Sequence, residues 1–325
     1  MKAPVVSVIV PAYNAEGYVS ECLRSLLTQT LADIEVLVAD DASTDGTRRV
    51  LDAIPDPRVR RFDSPGNLGP GEARNRLLDE ARGTFIAFQD ADDVSLPDRL
   101  ARHVATLHAD PLLGLCGTFY ESMAAGGQRI RSFEAPAADA EIRAEITRRI
   151  PFLCATLMVR ASVLGRERFR EFFNRIGCED YDLAYRLTER SRAANVAQVL
   201  YRTRVVRRSF SRTRRGPRQV YIDEVVRAFA RDRAETGTDC LMRNDAAALQ
   251  RLLEELDRPY RDDPALEFRL RAGAHLAVGE HGTALAAALR AVLTRPGAIA
   301  NYRALSYTLR ALLRERGALG VPRRR

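Results

Sequence analysis

The stretch Thr84-Phe85-Ile86-Ala87-Phe88-Gln89-Asp90-Ala91-Asp92-Asp93 decides how the rest of the chain is read. Its first half has the pattern of a short buried strand, and its second half sets three carboxylates at the end of that strand. Carboxylates this close repel one another unless a cation or solvent intervenes. Mg²⁺ and Mn²⁺ are held by one or two carboxylates together with substrate phosphates. In open α/β sheets, ligands bind outside the carboxyl ends of the strands. The stretch therefore marks a candidate metal–diphosphate site. The plainer alternative is a solvated acidic turn, with Asp93 or Ser95 capping a helix begun by Pro97.

The segments before it favour the first reading. Val5-Val6-Ser7-Val8-Ile9-Val10 is almost wholly apolar, β-branched and stopped by Pro11, as a central parallel strand would be. Val19, Cys22, Leu23, Leu26 and Leu27 then fall at helical spacing. Residues 34–39 predict a second strand, Asp40 to Gly46 a turn and cap cluster, 47–53 a short helix and 59–62 a third strand. Gly66-Asn67-Leu68-Gly69-Pro70-Gly71 is a loop opening a helix over 72–81. Strands alternating with helices imply a parallel sheet with right-handed crossovers.

Further along, the pattern predicts a helix from Pro97 to Leu107, a short strand over 113–117, a turn at Gly126-Gly127 and a charged helix over 139–149. A strand over 152–159, an amphipathic helix over 180–190 and a last strand over 196–201 follow. Beyond Gly216 the alternation stops, and Ala, Leu and Arg dominate. Helices are expected at 218–235, 244–256 with Asn244 as cap, 264–279 with Asp263 as cap, 283–294 and 298–315. The expected division is a catalytic domain over 1–215 and a helical extension over 216–325.

Composition narrows the class. A chain of 325 residues exceeds the usual single domain, and 46% hydrophobic residues suffice for a sizeable core. The five cysteines are scattered and lack C-x-x-C spacing, which argues for a reducing compartment and against a disulfide framework or zinc site. The chain opens on a strand pattern rather than a signal peptide, and the expected compartment is the cytoplasm. Net charge is +8, with eight arginines between Arg202 and Arg218 and three more at 323–325. Such clusters favour anionic partners, including nucleotide phosphates and anionic lipid headgroups. Peripheral contact with the inner face of a membrane is one expectation.

Four points converge at predicted strand ends: Pro11-Ala12-Tyr13-Asn14, Asp40-Asp41, Arg74-Asn75 after the Gly-rich loop, and Asp90-Ala91-Asp92. A tyrosine ring can stack on a base, a carboxylate can accept from a base N–H or ribose hydroxyl, and arginine can pair with phosphate. That inventory suits a nucleoside diphosphate carrying a leaving group.

On these residues the chain resembles the family-two glycosyltransferases. The resemblance rests on Val5 to Glu16 (VVSVIVPAYNAE), Asp40 to Thr47 (DDASTDGT), Asn67 to Asn75 (NLGPGEARN), Gln89 to Asp93 (QDADD, the DXD position) and Glu179 to Leu187 (EDYDLAYRL), in that family's order across residues 5–212. It implies a GT-A fold, a Rossmann-like, mostly parallel α/β nucleotide-sugar-binding domain. It further implies a nucleotide-sugar donor, a divalent metal (Mn²⁺ or Mg²⁺) and inversion at the anomeric centre. The acceptor would be the hydroxyl of a sugar, glycan or glycolipid in cell-surface polysaccharide or glycolipid synthesis. Carried over by motif, Pro11, Tyr13 and Asp41 would lie at the base, Arg74 near base or diphosphate, and Asp90 at the ribose or metal. Asp92 would be the principal metal ligand and Asp180 the general base, with Glu179 beside it. Asp182 would be structural, and helix capping is the alternative role for Glu179-Asp180.

Two positions depart from the family pattern. Val206 stands where many members carry a histidine that serves the metal or diphosphate, and Arg207, Arg208 or Arg212 would replace part of its charge. Cys154 stands where an acceptor-side histidine is common. Competing classes fit less well. A dinucleotide oxidoreductase needs G-x-G-x-x-G after the first strand, where this chain has Pro-Ala-Tyr-Asn. A nucleic-acid arm at 202–218 lacks interleaved aromatics beyond Phe210, so no nucleic acid is expected. A catalytically weak or inactive homologue is the remaining alternative, kept open by Val206.

Overall fold

A computed structural model describes residues 3–205, 218–277 and 279–318. Val206, Arg207, Arg208, Arg212 and the terminal arginine triplet lie outside these residues. The chain divides into two compact units, Met1–Thr213 and Arg214–Arg325.

The first unit runs β1 (Val6–Ala12), α1 (Val19–Leu27), β2 (Ile34–Asp40), α2 (Thr47–Asp52), β3 (Val59–Asp63), α3 (Pro70–Glu80), β4 (Phe85–Phe88) and β5 (Val94–Ser95). It continues with α4 (Arg99–Ala109), β6 (Leu113–Met123), β7 (Arg129–Phe133), α5 (Asp139–Ile146), β8 (Met158–Arg160), α6 (Ala161–Leu164), α7 (Glu179–Arg190) and β9 (Arg192–Arg204). Among the described residues the strands form one sheet in the order β3-β2-β1-β4-β8-β6-β9-β5, with β7 paired to β6. The β3-β2-β1-β4 half is parallel throughout. β8 enters antiparallel between β4 and β6, and β6 and β9 run parallel.

Alternation along the parallel strands builds a layer on each face. Val6, Val8 and Val10 of β1 and Val36 and Val38 of β2 pack with Val19, Cys22, Leu23 and Leu26 of α1. Ile9, Leu37, Ile86 and Phe88 pack on the opposite face with Ala73 and Leu77 of α3. Side chains in a strand alternate faces, so a strand covered on both sides must be apolar throughout. Each fully buried aliphatic side chain here contributes about 1.5–3 kcal/mol. At the amino ends of these strands Glu35 is buried and accepts from Ser7 Oγ (2.6 Å), the Arg82 N–H (2.9 Å) and the Arg82 guanidinium (2.6 Å). The strand order reverses between β1 and β4, since β2 follows β1 on one side and β4 lies on the other. That switch point opens a crevice at the carboxyl ends, and Tyr13 and Asp90 follow directly from it.

In this unit two expectations are corrected and one alternative is set aside. Residues 152–157 are not a strand: Cys154–Thr156 forms a 3₁₀ turn, in which the Leu153 carbonyl accepts from Thr156 N (2.8 Å) and Oγ1 (2.7 Å), and only β8 remains. The short strand at 113–117 is the start of an eleven-residue β6. Neither Asp93 nor Ser95 caps α4; its N-cap is Asp98, because Asp93 is engaged elsewhere.

The second unit comprises α8 (Arg218–Thr236), α9 (Ala246–Asp262), α10 (Leu266–Ala277), α11 (His281–Thr294) and α12 (Ile299–Ala318). Asp245, not Asn244, caps α9 by accepting from Ala248 N at 2.9 Å. Buried Ala272, Ala284, Ala288 and Ala291 let α10, α11 and α12 approach closely. Buried Asn301 fixes the α11–α12 turn: its Nδ2 donates to the carbonyls of Ala291 (2.9 Å) and Arg295 (2.8 Å), and its Oδ1 accepts from Arg269 (2.6 Å). Among the described residues no helix is long and apolar enough to cross a membrane.

Candidate active site

The loops after β1 and β2 are stapled together. Asn14, in a left-handed conformation (φ 49°), accepts from Thr44 N through Oδ1 (2.8 Å), and its own N–H donates to Ser43 Oγ (3.0 Å). Pro11 lies within β1 opposite Ala39. Tyr13, next along, is half exposed, so its ring is available to a planar ligand. Asp41 is buried and holds the Gly-rich loop: its Oδ1 accepts from Leu68 N (2.9 Å) and its Oδ2 from Gly69 N (2.8 Å). Each oxygen keeps a further lone pair. Gly69 is itself left-handed (φ 90°), and a Cβ there would meet Asn174 Oδ1 at 2.7 Å. Asn174 closes the loop by accepting from Gly71 N and donating to the Leu68 carbonyl. Sequence reading missed this clamp, which lies over a hundred residues away in a segment with little periodicity.

The acidic turn after β4 has an internal division of labour. Asp93 is buried, and its two oxygens accept from Tyr201 Oη (2.9 Å) and Arg204 N (2.7 Å). It therefore ties the turn to β9. Arg204, also buried, donates to the Asp92 carbonyl (2.9 Å), the Ala125 carbonyl (2.7 Å) and Glu21 (2.6 Å). Beneath the turn a second buried guanidinium, Arg99, donates to neutral oxygens of Gln89, Ser95, Phe88 and Ala155. Neither arginine stood out within the sequence. Both place positive charge behind the carboxylates.

Asp90 and Asp92, unlike Asp93, are only partly buried at the carboxyl end of β4. Burial, and then repulsion from Asp90, push the Asp92 carboxyl up to about 6. A divalent cation between the two would relieve that repulsion, and the donor set is the hard oxygen that Mg²⁺ or Mn²⁺ prefers. Among the described residues no group of three or more His, Cys, Asp or Glu forms a complete metal cage. The residues present thus fit a cation whose coordination is completed by a bound ligand.

One guanidinium joins the two halves of the site. Arg74 of α3 is buried, donates to Asp90 Oδ1 at 2.9 Å, and lies 3.4 Å from Glu179 Oε1 while stacking over Phe169. Its Nε has no partner among the described residues. Glu179 and Asp180 open α7, just after Arg175, Gly177 and Cys178, all at positive φ. Two of these are not glycine, and such strain collects at functional sites. Burial and the neighbouring Asp180 push Glu179 up to about 7, against the pull of Arg74. Burial also raises Asp180 above the ordinary carboxylate range. Both carboxyls are therefore poised nearer neutrality than a solvated acid, as a proton acceptor requires. The Cys154 thiol lies in the same field, raised by burial and lowered by Arg74. Asp182 is wholly buried and pairs with Arg186 at 2.9 Å, a structural role.

The site can be set beside known proteins. The profile of glycosyl transferase family 2 matches residues 7–166. The chain is 34% identical over 218 residues to EpsE of Bacillus subtilis (strain 168); the match covers 64% of this chain and 76% of EpsE. It is 45% identical over 103 residues to the succinoglycan biosynthesis protein ExoO of Rhizobium meliloti (strain 1021), covering 32% of this chain and 30% of ExoO. The chain spans less than half the length of ExoO and of several other curated relatives it matches. Among solved structures, S. aureus TarS 1–349 in complex with UDP-GlcNAc superposes with a TM-score of 0.61 at 22% identity, over 94% of this chain and 91% of that one. That likeness is one of fold, the GT-A arrangement with a helical carboxyl-terminal region.

Proposed function

The chain belongs to glycosyl transferase family 2, and from that membership we propose that it moves a sugar from a nucleoside-diphosphate sugar to an acceptor hydroxyl, with inversion, in the synthesis of a cell-surface polysaccharide. The observation that carries this reading is the Arg74 bridge. A single buried guanidinium contacts Asp90 on the side suited to a diphosphate and Glu179 beside the candidate base. The polysaccharide assignment draws on relatives such as ExoO. The five free cysteines support a reducing, cytoplasmic setting.

In this reading Tyr13 stacks on the base and Asp41 receives a base N–H on a remaining lone pair. Asp90 and Asp92 would hold a divalent metal, which when bound would neutralise charge on the leaving diphosphate. Arg74 orients the donor and stabilises the same charge from a dry position. The acceptor oxygen bonds to the anomeric carbon from the face opposite the diphosphate, whose C–O bond breaks. Its proton passes to Asp180 and then to solvent. Attack opposite the leaving group inverts the centre, through a transition state with oxocarbenium character.

A thermal-shift panel of nucleoside diphosphates and nucleotide sugars, with and without Mn²⁺, tests the donor site. A ligand that binds only the native state raises the melting temperature, by an amount that grows with the logarithm of its affinity. A shift from at least one uridine, guanosine or deoxythymidine diphosphate, larger with Mn²⁺, is expected. No shift from any of them at millimolar concentration would remove the donor-site assignment.

A further inference from the structure

The second unit carries a surface that the transferase reading does not use. α12 buries one side of its cylinder, including Asn301 and Thr308. Its opposite side presents Ile299 and Tyr307, each 70% exposed, Leu313, 65% exposed, and exposed Tyr302. These fall at positions 0, +3, +8 and +14, one stripe of a 3.6-residue helix. Exposed Arg303, Arg310 and Arg314 lie within the same stripe. The stripe extends about 22 Å along the axis at 1.5 Å per residue. Across the turn before α12, Leu293 at the end of α11 is also exposed.

The charge on this surface is one-sided. From His281 to Arg314 the sequence contains no Asp or Glu and five arginines. A second copy of the chain is a poor occupant, because a two-fold pairing of this stripe sets arginine against arginine. The occupant must instead present negative charge beside an apolar layer. Tyrosine at an interface, arginine at phosphate and Ile or Leu below them are the features of a helix lying in the plane of an anionic bilayer.

We propose that the α12 stripe, from Ile299 to Arg314, docks the protein onto an anionic lipid surface. The stripe lies parallel to the membrane, with Arg303, Arg310 and Arg314 at headgroup phosphates and Ile299, Tyr307 and Leu313 at the acyl boundary. This holds whether or not the first unit transfers sugar.

The test is flotation of the full chain with vesicles of phosphatidylcholine, alone or mixed with phosphatidylglycerol, at physiological salt. The parent should float with the mixed vesicles and not with the neutral ones. Arg303→Gln with Arg310→Gln should weaken partitioning about thirtyfold, since each basic residue near such a surface contributes roughly fivefold. Ile299→Ser with Leu313→Ser should weaken it too and leave the remaining binding more salt-sensitive. These residues are exposed, so melting temperatures should stay at the parent value. Equal flotation of parent and variants would overturn the assignment, as would failure of the parent to float with mixed vesicles. An association between copies lost in the Ile299→Ser, Leu313→Ser variant, with no vesicle binding, would assign the face to a protein partner and overturn the lipid proposal.

Discussion

Arg74 and Asp90 are joined by a 2.9 Å charge-assisted hydrogen bond, and the same guanidinium reaches Glu179 of α7, 105 residues away in sequence. The candidate donor and acceptor sides are therefore mechanically linked. Arg74→Met should lower transfer on the order of a hundredfold, from lost charge stabilisation and orientation. Arg74→Lys should recover only part, because an ammonium lacks the planar fork. Steady-state kinetics decide it, and parental rates in both variants would dissolve the linkage.

The metal should bind weakly to the free protein. Asp93 is occupied by Tyr201 and Arg204, leaving Asp90 and Asp92 to share a cation with the donor diphosphate. Calorimetry should show little Mn²⁺ binding alone and clear binding once a nucleoside diphosphate is present. Asp92→Asn should abolish the enhancement. Tight Mn²⁺ binding to the free parent would contradict the ligand set.

Much of this arrangement was legible in the sequence. The β-branched runs of β1 and β2 could be read because a strand buried on both faces admits little else. The acidic turn stood out because it follows a strand that is apolar throughout, Phe85–Phe88, and the Gly-rich loop stood out by its own glycines. What escaped depends on distant partners. Asp93 looks like Asp92 until Tyr201 and Arg204 are seen bonded to it. Arg204 is one arginine among many in its segment until its side chain is seen buried against the turn. Residues 152–159 form a mostly apolar run that suits a strand or a buried turn equally well, and the backbone hydrogen bonds at Leu153 decide between them.

Glu179 gives a pH signature in stability. Its native carboxyl titrates near 7 against 4.5 in an ordinary environment. The folded state thus binds the proton more tightly than the unfolded chain, and stability falls as pH rises through that window. Thermal melts across it should show the parent losing stability and Glu179→Gln losing less. A parent whose stability rises steadily over the same window would contradict the burial argument.

Gly69→Ala should destabilise the first unit by about 2 kcal/mol, from a left-handed residue that gains a Cβ and its contact with Asn174. Nucleotide affinity should fall with it, since Asp41 is held by the same loop. Denaturant melts and a binding isotherm check both, and unchanged values would show the loop is not needed in this form.

Asp180→Asn tests the central claim most directly. Asn preserves size and helix-start hydrogen bonding but cannot take a proton at neutral pH. Nucleoside-diphosphate release from the donor identified in the ligand panel should fall on the order of a hundredfold or more, while donor binding and melting temperature stay at parental values, and Glu179→Gln should cost less. An Asp180→Asn protein that turns over the donor at the parental rate would contradict the assignment and move the base to Glu179.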